Sequence, residues 1–228
     1  MLQALDKKDD ETWNADSLFP HVRAVLLASI HSTTTALTAT LQFVLRHPRV
    51  HSRLLQELKQ TGDTGKQSPI EDLPKLPYLN AVINESLRLF PPIPLLGPRL
   101  SPGLELDGIY VAKGQEMLTS LYSLQRNPLY FPQPDSFIPE RWFEADVDMQ
   151  KAAFQPFSTG TRSCIGKHLA MQVLRLSIAR ILMECDGLCA ARDEEWLERS
   201  RCYTVWEVPR CWVQLDRSQR ADEQGLKH

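Results

Sequence analysis

The 228-residue sequence has no run of twenty consecutive apolar residues. Its most apolar region, Val22 to Leu45, is broken by Arg23, by His31 and by a group of Ser and Thr, and Arg46 follows. A bilayer span needs roughly 20 predominantly apolar residues, so the region reads as a buried helix of a soluble domain and no transmembrane segment is expected. The opening stretch turns charged by Asp6-Lys7-Lys8-Asp9-Asp10, which excludes a secretory signal peptide as its reading. A long basic run is also missing, and the formal net charge is -2, so nothing is expected to track a phosphate backbone and no nucleic-acid partner is assigned. Five cysteines, an odd count without regular spacing, argue against a disulfide framework and for a reducing compartment. No internal repeat and no interdomain linker is visible.

What is present is ordinary globular material, with 43% hydrophobic and 24% charged residues, enough for one core or two modest domains. Residues 1–15 read as a polar lead-in and 216–228 as a charged, loose tail. A long helix is expected over 16–47, with Pro20 tolerated near its start. Ser29, Ser32, Thr33, Thr34 and Thr35 sit in its middle. Hydroxyl residues compete there for backbone hydrogen bonds, so a local distortion or a polar groove is expected. Further helices are expected over 49–61, 78–89, 118–124 and 166–183. Residues 61–67 read as a loop, 93–116 as small strands and turns, 127–145 as mostly irregular, and 203–207 and 211–215 as short strands. The fold class is mainly α with small β elements.

The most informative stretch is Phe157-Ser-Thr-Gly160-Thr-Arg162-Ser-Cys164-Ile-Gly166. It sets a cysteine between two glycines, beside a fixed positive charge, at the mouth of a helix. Orphan helix N–H groups favour a thiolate at such a place, and a thiolate is a potential axial ligand for haem iron. Glu85-Ser-Leu-Arg88 puts a carboxylate and a guanidinium on one helix face; alone, that spacing is usually a surface ion pair. Cys185 and Cys189 lie four apart, with nothing nearby to complete a tetrahedral metal set, and read as two half-buried cysteines. Trp196, Trp206 and Trp212 recur with Arg199, Arg201 and Arg210. Asp193, Glu194, Glu195 and Glu198 spoil an aromatic-basic RNA surface, so core packing of a C-terminal β element is the better reading.

The cysteine stretch resembles the signature of the cytochrome P450 superfamily at every fixed position. Glu85-Ser-Leu-Arg88, the following Leu89-Phe-Pro-Pro-Ile-Pro, and Phe137-Ile-Pro-Glu-Arg141-Trp142 resemble, in order, the family's helical Glu/Arg pair and its later arginine motif. The resemblance covers about residues 16–215 and corresponds to the C-terminal part of the P450 fold, from the long central helix through the haem-binding loop and the helix after it. It implies haem b (heme, iron protoporphyrin IX) with Cys164 as the axial thiolate ligand. Phe157 would pack beside the sulfur, Arg162 would pair with a propionate, and Gly160 and Gly166 would allow tight turns. Glu85, Arg88 and Arg141 would form a structural ion-pair network. Arg99, before Leu106-Asp-Gly108 and Lys113-Gly114, would contact a propionate, and residues 93–97 would line the pocket above the haem.

Ala28-Ser29-Ile30-His31-Ser32-Thr33 resembles the family's oxygen-activation segment, with departures. The family usually has glycine where Ser29 stands, an acid at His31 and threonine at Ser32. Some terpene-oxidising members look similar, with Ala-Ile-His-Thr-Thr. Ser32 keeps a hydroxyl, His31 could relay protons, and Thr33 is available one position on.

The implied activity is a haem-thiolate monooxygenase that inserts one oxygen atom from O2 into a small hydrophobic organic substrate, with a lean toward a fungal terpenoid or other secondary metabolite. Electrons would come from an NADPH–cytochrome P450 reductase, with Arg141, Lys151, Arg162, Lys167 and His168 as candidates for the surface that meets it. The location would be cytoplasmic or endoplasmic-reticulum-associated. A complete family member is much longer, and the early helices and roof loops find no place in residues 1–15. The helix at 16–47 would then carry bare apolar faces. Two alternatives stay open: a non-catalytic remnant with weak or no haem binding, and a module whose apolar face meets a second chain carrying the N-terminal half.

Overall fold

Prolines set where three helices begin. Pro48 opens the helix Pro48–Gly62, Pro69 the single turn Pro69–Asp72 and Pro77 the helix Pro77–Leu89, and in that first turn a missing N–H and a fixed φ are tolerated. The computed structural model describes residues 15–62, 69–143, 150, 152–185, 187–190, 195–203 and 205–215. The lead-in at 1–14, most of the 61–67 loop, Lys151, Asp193, Glu194 and the tail at 216–228 lie outside the described residues. Helix α1 is Ala15–Arg46, α2 is Pro48–Gly62, α3 is the single turn Pro69–Asp72 and α4 is Pro77–Leu89. Strands β1 (Leu95–Leu100), β2 (Leu104–Leu106), β3 (Ile109–Val111) and β4 (Glu116–Ser120) follow, then the short α5 (Leu121–Leu124). Two short 3-10 turns, Pro139–Phe143 and Gly160–Arg162, come next, and then α6 (Lys167–Glu184), β5 (Leu188–Ala190), α7 (Trp196–Arg199), β6 (Arg201–Cys202), β7 (Trp206–Glu207) and β8 (Val213–Leu215).

Helix α4 is the centre of the packing. Apolar residues on all its sides, among them Leu79, Val82, Ile83 and Leu87, are buried, as befits a helix enclosed by neighbours. The second half of α1 packs Ala36, Ala39, Phe43 and Val44 into the same core, and α6 adds Leu174, Ile178 and Leu182. Phe43 stacks on Phe137 from the loop region at a ring separation of 4.9 Å. All strands pair in antiparallel two-stranded ribbons, β1 with β4, β2 with β3, β5 with β8 and β6 with β7. Pro98 sits in the irregular step of β1 between Leu96 and Arg99, where a missing ladder donor is tolerated. Asp107 and Gly108 both have positive φ, 49° and 79°, the two-residue turn that matches hairpin twist.

Two expectations are corrected, and a third holds over only part of its helix. The helix expected over 118–124 is split: residues to Ser120 complete β4 against β1, and Ser120 then caps a single turn by accepting from the Ser123 N–H at 3.2 Å. Trp196 and Trp206 are in the core, but Trp212 is 64% exposed, because the β5–β8 ribbon has two strands and no layer over its outer face among the described residues. The third concerns α1. Leu18–Arg46 is long and apolar enough to cross a membrane by length and composition, with a mean hydropathy of 1.3 over its best window. Counting uninterrupted apolar residues is a stricter test than averaging a window, which explains the difference. A core helix passes the same window test, and the last third of α1 is indeed core. Its first half is not: Phe19, Val25, Leu26, Leu27 and Ile30 are each more than half exposed.

Candidate functional site

The loop before α6 is closed by its own backbone. Cys164 N–H donates to Phe157 O at 2.8 Å, Ser163 N–H to Gly160 O at 3.1 Å and Lys167 N–H to Cys164 O at 3.3 Å. Closing so tight a loop needs left-handed backbone at Ser158 (φ 57°) and Gly160 (φ 67°). Gly166, the residue before α6, has φ -86°, which any residue adopts. A Cβ there would lie 3.9 Å from Cys164 Sγ, an ordinary contact, so Gly166 borders the sulfur directly. Lys167 stands over the Phe157 ring at 5.8 Å.

Cys164 lines a slot of about 190 Å³. Arg162 and Phe157 from the same loop line it too, as do Ser32, Thr33 and Ala36 from α1 and Pro92, Ile93 and Leu96 from the segment after α4. Segments remote in sequence thus meet around one soft donor atom in a mainly apolar cleft. An adjoining cavity of about 330 Å³ brings Arg99 of β1 together with Arg162, Thr119, Thr159 and Thr161. The two arginines and the thiol therefore share one connected region. This donor set, one sulfur, apolar walls and two cations at the margin, fits a flat apolar macrocycle with an axial thiolate and anionic edge groups.

The α1 segment reaches the slot without the distortion expected from its hydroxyl cluster. The helix runs unbroken because the hydroxyls bond back within it: Ser32 Oγ donates to Ala28 O at 2.7 Å, Thr34 Oγ1 to Ile30 O at 2.7 Å and Ser29 Oγ to Leu26 O at 3.0 Å. Ser32 thereby has its proton engaged and keeps lone pairs to accept with. His31 is not among the slot-lining residues; its Nε2 is enclosed and meets no partner among the described residues.

Behind the slot, Glu85, Arg88 and Arg141 form a buried ion-pair network. Arg88 grips Glu85 with two bonds of 2.9 Å, from Nε to Oε2 and from Nη2 to Oε1. Its other N–H groups donate to the carbonyls of Gln125, Pro134 and Ser136, so all five guanidinium donors are used. Arg141 Nε donates to Glu85 Oε1 at 2.9 Å, and its remaining nitrogens hold the carbonyls of Pro132 and Gln133. Trp142 Nε1 and the Ile138 N–H also donate to the Glu85 carboxylate. A fully paired network of this kind fixes the path of the chain from Gln125 to Trp142 onto α4. Sequence reasoning did not anticipate Gln125, whose amide nitrogen holds the carbonyls of Leu87 and Arg88, and no local pattern marks it. Trp142 stood in the quoted motif, next to Arg141.

The network also corrects one surface assignment. Arg141 is 3% exposed, so it is unavailable to a redox partner, while Arg162, Lys167 and His168 are exposed. Lys167 and His168 border a polar cleft of about 500 Å³ with Asn80, Asn84 and Arg175. Arg175 Nε donates to Asn80 Oδ1 at 2.8 Å, and burial pulls its pKa down. Cys185 and Cys189 are half-buried, and no group of three or more potential metal ligands occurs among the described residues.

Residues 1–201 match the family model described as Cytochrome P450. The chain is 34% identical to cytochrome P450 monooxygenase astJ of Aspergillus oryzae, over 92% of this chain and 43% of that protein. It is 30% identical to cytochrome P450 monooxygenase ORF9 of Penicillium roqueforti, over 94% of this chain and 42% of that protein. Among solved structures, a zebra fish cytochrome P450 with abiraterone superimposes with a TM-score of 0.76 at 26% identity, over 94% of this chain and 51% of that one. The chain spans about two fifths of the length of the curated relatives it matches.

Proposed function

This chain belongs to the cytochrome P450 family, and from that premise we propose that it supplies the thiolate-ligated haem site of a fungal monooxygenase of secondary metabolism. The observation that carries the reading is the slot in which Cys164, Arg162, Ser32 and Thr33 meet. Residues 16–215 are read as its part of the haem domain. The reaction is insertion of one oxygen atom of O2 into a small hydrophobic organic substrate, a terpenoid by the likeness of the α1 segment, with the other atom leaving as water. The two electrons come from NADPH through a P450 reductase.

Haem b, when bound, supplies the oxygen-activating and electron-accepting chemistry. Cys164 is its sulfur ligand and Phe157 packs beside the sulfur. Arg162 and Arg99 hold the anionic edge. Pro92, Ile93 and Leu96 exclude water from the apolar side of the slot. Ser32 keeps its proton, donated to Ala28 O, and has lone pairs free to accept a hydrogen bond; Thr33 offers a second hydroxyl, and His31, on the same helix, is the candidate proton relay. Lys167 and Lys151 offer positive charge to the reductase, with His168 beside Lys167. The location is cytoplasmic or at the endoplasmic reticulum membrane.

A second reading, a chain without turnover that binds haem weakly, draws on the exposed apolar first half of α1. The reduced, carbon-monoxide-bound spectrum of the haem-reconstituted chain separates the two. The monooxygenase reading expects a Soret band at the red-shifted thiolate position, absent in Cys164→Ala. A band of non-thiolate haem, or no haem uptake, overturns it.

A further inference from the structure

The slot wall formed by Pro92, Ile93 and Leu96 belongs to a stretch with little means of holding itself in place. Pro91, Pro92 and Pro94 have no N–H, so the backbone between Phe90 and Leu95 offers mainly carbonyls for attachment. Two of those carbonyls, and that of Leu89 just before them, are gripped from outside. Leu89 O accepts from Arg126 Nη2 at 2.5 Å and Pro94 O from the Tyr122 N–H at 3.2 Å. Pro91 O, buried, accepts from the indole Nε1 of Trp206 at 2.7 Å, across the longest sequence separation of the three. Trp206 is 8% exposed, stacks on Phe90 at 4.4 Å and does not itself line the slot.

We propose that Trp206 is a positioning residue for the slot: its indole N–H fixes the Pro91 carbonyl, and through it the placement of Pro92, Ile93 and Leu96 that sets the slot's width and apolar fit. The proposal rests on the reading that this slot takes the haem and the substrate. The chemistry requires an indole. Phenylalanine keeps the stack on Phe90 but leaves a buried carbonyl unpaired, and such a carbonyl is driven to move toward water or another donor. Trp196 is the internal comparison. It also packs on Phe90, at 5.2 Å, and is buried still more deeply, but its Nε1 meets no acceptor among the described residues.

The test is amide hydrogen exchange on the full chain, read at Ile93, Leu95 and Leu96, together with a titration by haemin. In Trp206→Phe, exchange at these amides rises and haemin binds more weakly, each by about two- to tenfold, the span of a single lost hydrogen bond. The position of the carbon-monoxide band is unchanged, because Cys164 is untouched. Trp196→Phe leaves both readouts at wild-type values. Trp206→His, which retains a ring N–H, returns exchange toward wild type; if Trp206→Phe does not fold, Trp206→Met, which also lacks a ring N–H, takes its place in both comparisons. Unchanged exchange in Trp206→Phe, an equal rise in Trp196→Phe, or no recovery in Trp206→His overturns the proposal. If the wild-type chain shows no thiolate-type band, the functional reading falls, while the exchange comparison still decides whether Trp206 holds the wall.

Discussion

Glu57 caps a helix to which it does not belong. From α2 its two carboxylate oxygens accept the backbone N–H groups of Tyr78 and Leu79, each at 2.8 Å, in the first turn of α4. Helix α4 begins without a capping side chain of its own, because Leu76 at the N-cap has none to give. The carboxylate therefore supplies acceptors to orphan donors and negative charge to the positive end of the helix dipole. Glu57→Ala is expected to destabilise the chain by about 1–2 kcal/mol, and Glu57→Gln, with one acceptor oxygen, by less. A denaturant titration checks the order: equal stability of wild type and Glu57→Ala contradicts it.

The Glu85 network predicts a harsher outcome. Arg88→Lys replaces a five-donor fork with three donors on a flexible stem, so carbonyls of Gln125, Pro134 or Ser136 lose partners in the interior. Glu85→Gln turns an amide N–H2 toward donors from Arg88, Arg141 and Trp142. Breaking one member of a buried pair costs about 3–5 kcal/mol, a large share of the stability of a typical domain. Both variants are expected to accumulate as aggregate rather than as soluble chain. A soluble, cooperatively melting Arg88→Lys protein would show that the network is not required for the fold.

How much of this was legible in the sequence depended on range. The small strands and turns over 93–116, the helix bearing Glu85 and the cysteine loop are local, and residue type and motif announced them. Arg141 was legible as a member of a motif, but its burial was not, since an arginine reads as surface until its carbonyl acceptors at Pro132 and Gln133 are known. The β4–α5 switch at Ser120 was missed because pairing with β1 decides it, not local propensity. Trp196 and Trp206 were rightly read as core and Trp212 was not. The difference lies in whether a second layer covers the ribbon, which no short pattern encodes.

His51 of α2 gives the chain a pH dependence. Burial pulls its pKa below the ordinary 6.5, so the unfolded chain binds a proton that the folded chain resists. Stability from this group is present above pH 6.5 and is lost as pH falls through the lower folded-state value. His51→Asn is expected to flatten that part of the profile. Melting temperatures of both chains between pH 7.5 and about 5 test it; parallel profiles would remove His51 as a cause.

The two glycines of the cysteine loop make opposite predictions, and together they separate backbone from contact. At Gly160, φ is 67° and a Cβ would meet nothing within 4 Å, so Gly160→Ala is opposed by backbone conformation alone. The left-handed conformation costs alanine about 1–2 kcal/mol, and the strain falls on the turn whose Gly160 O holds the Ser163 N–H beside Cys164. At Gly166 the backbone is already acceptable to alanine, and the added methyl comes to 3.9 Å from Cys164 Sγ, an ordinary contact. Gly166→Ala should therefore fold as well as wild type or slightly better, since the unfolded chain loses freedom. What it changes is the surface around the sulfur, so accessibility of Cys164 to a thiol reagent is expected to fall in Gly166→Ala and to hold or rise in Gly160→Ala. Thermal melts and labelling rates on the two variants decide the matter. If Gly160→Ala is as stable as wild type, the loop does not depend on left-handed backbone there. If Gly166→Ala labels at the wild-type rate, its side of the sulfur is not the side by which reagents approach.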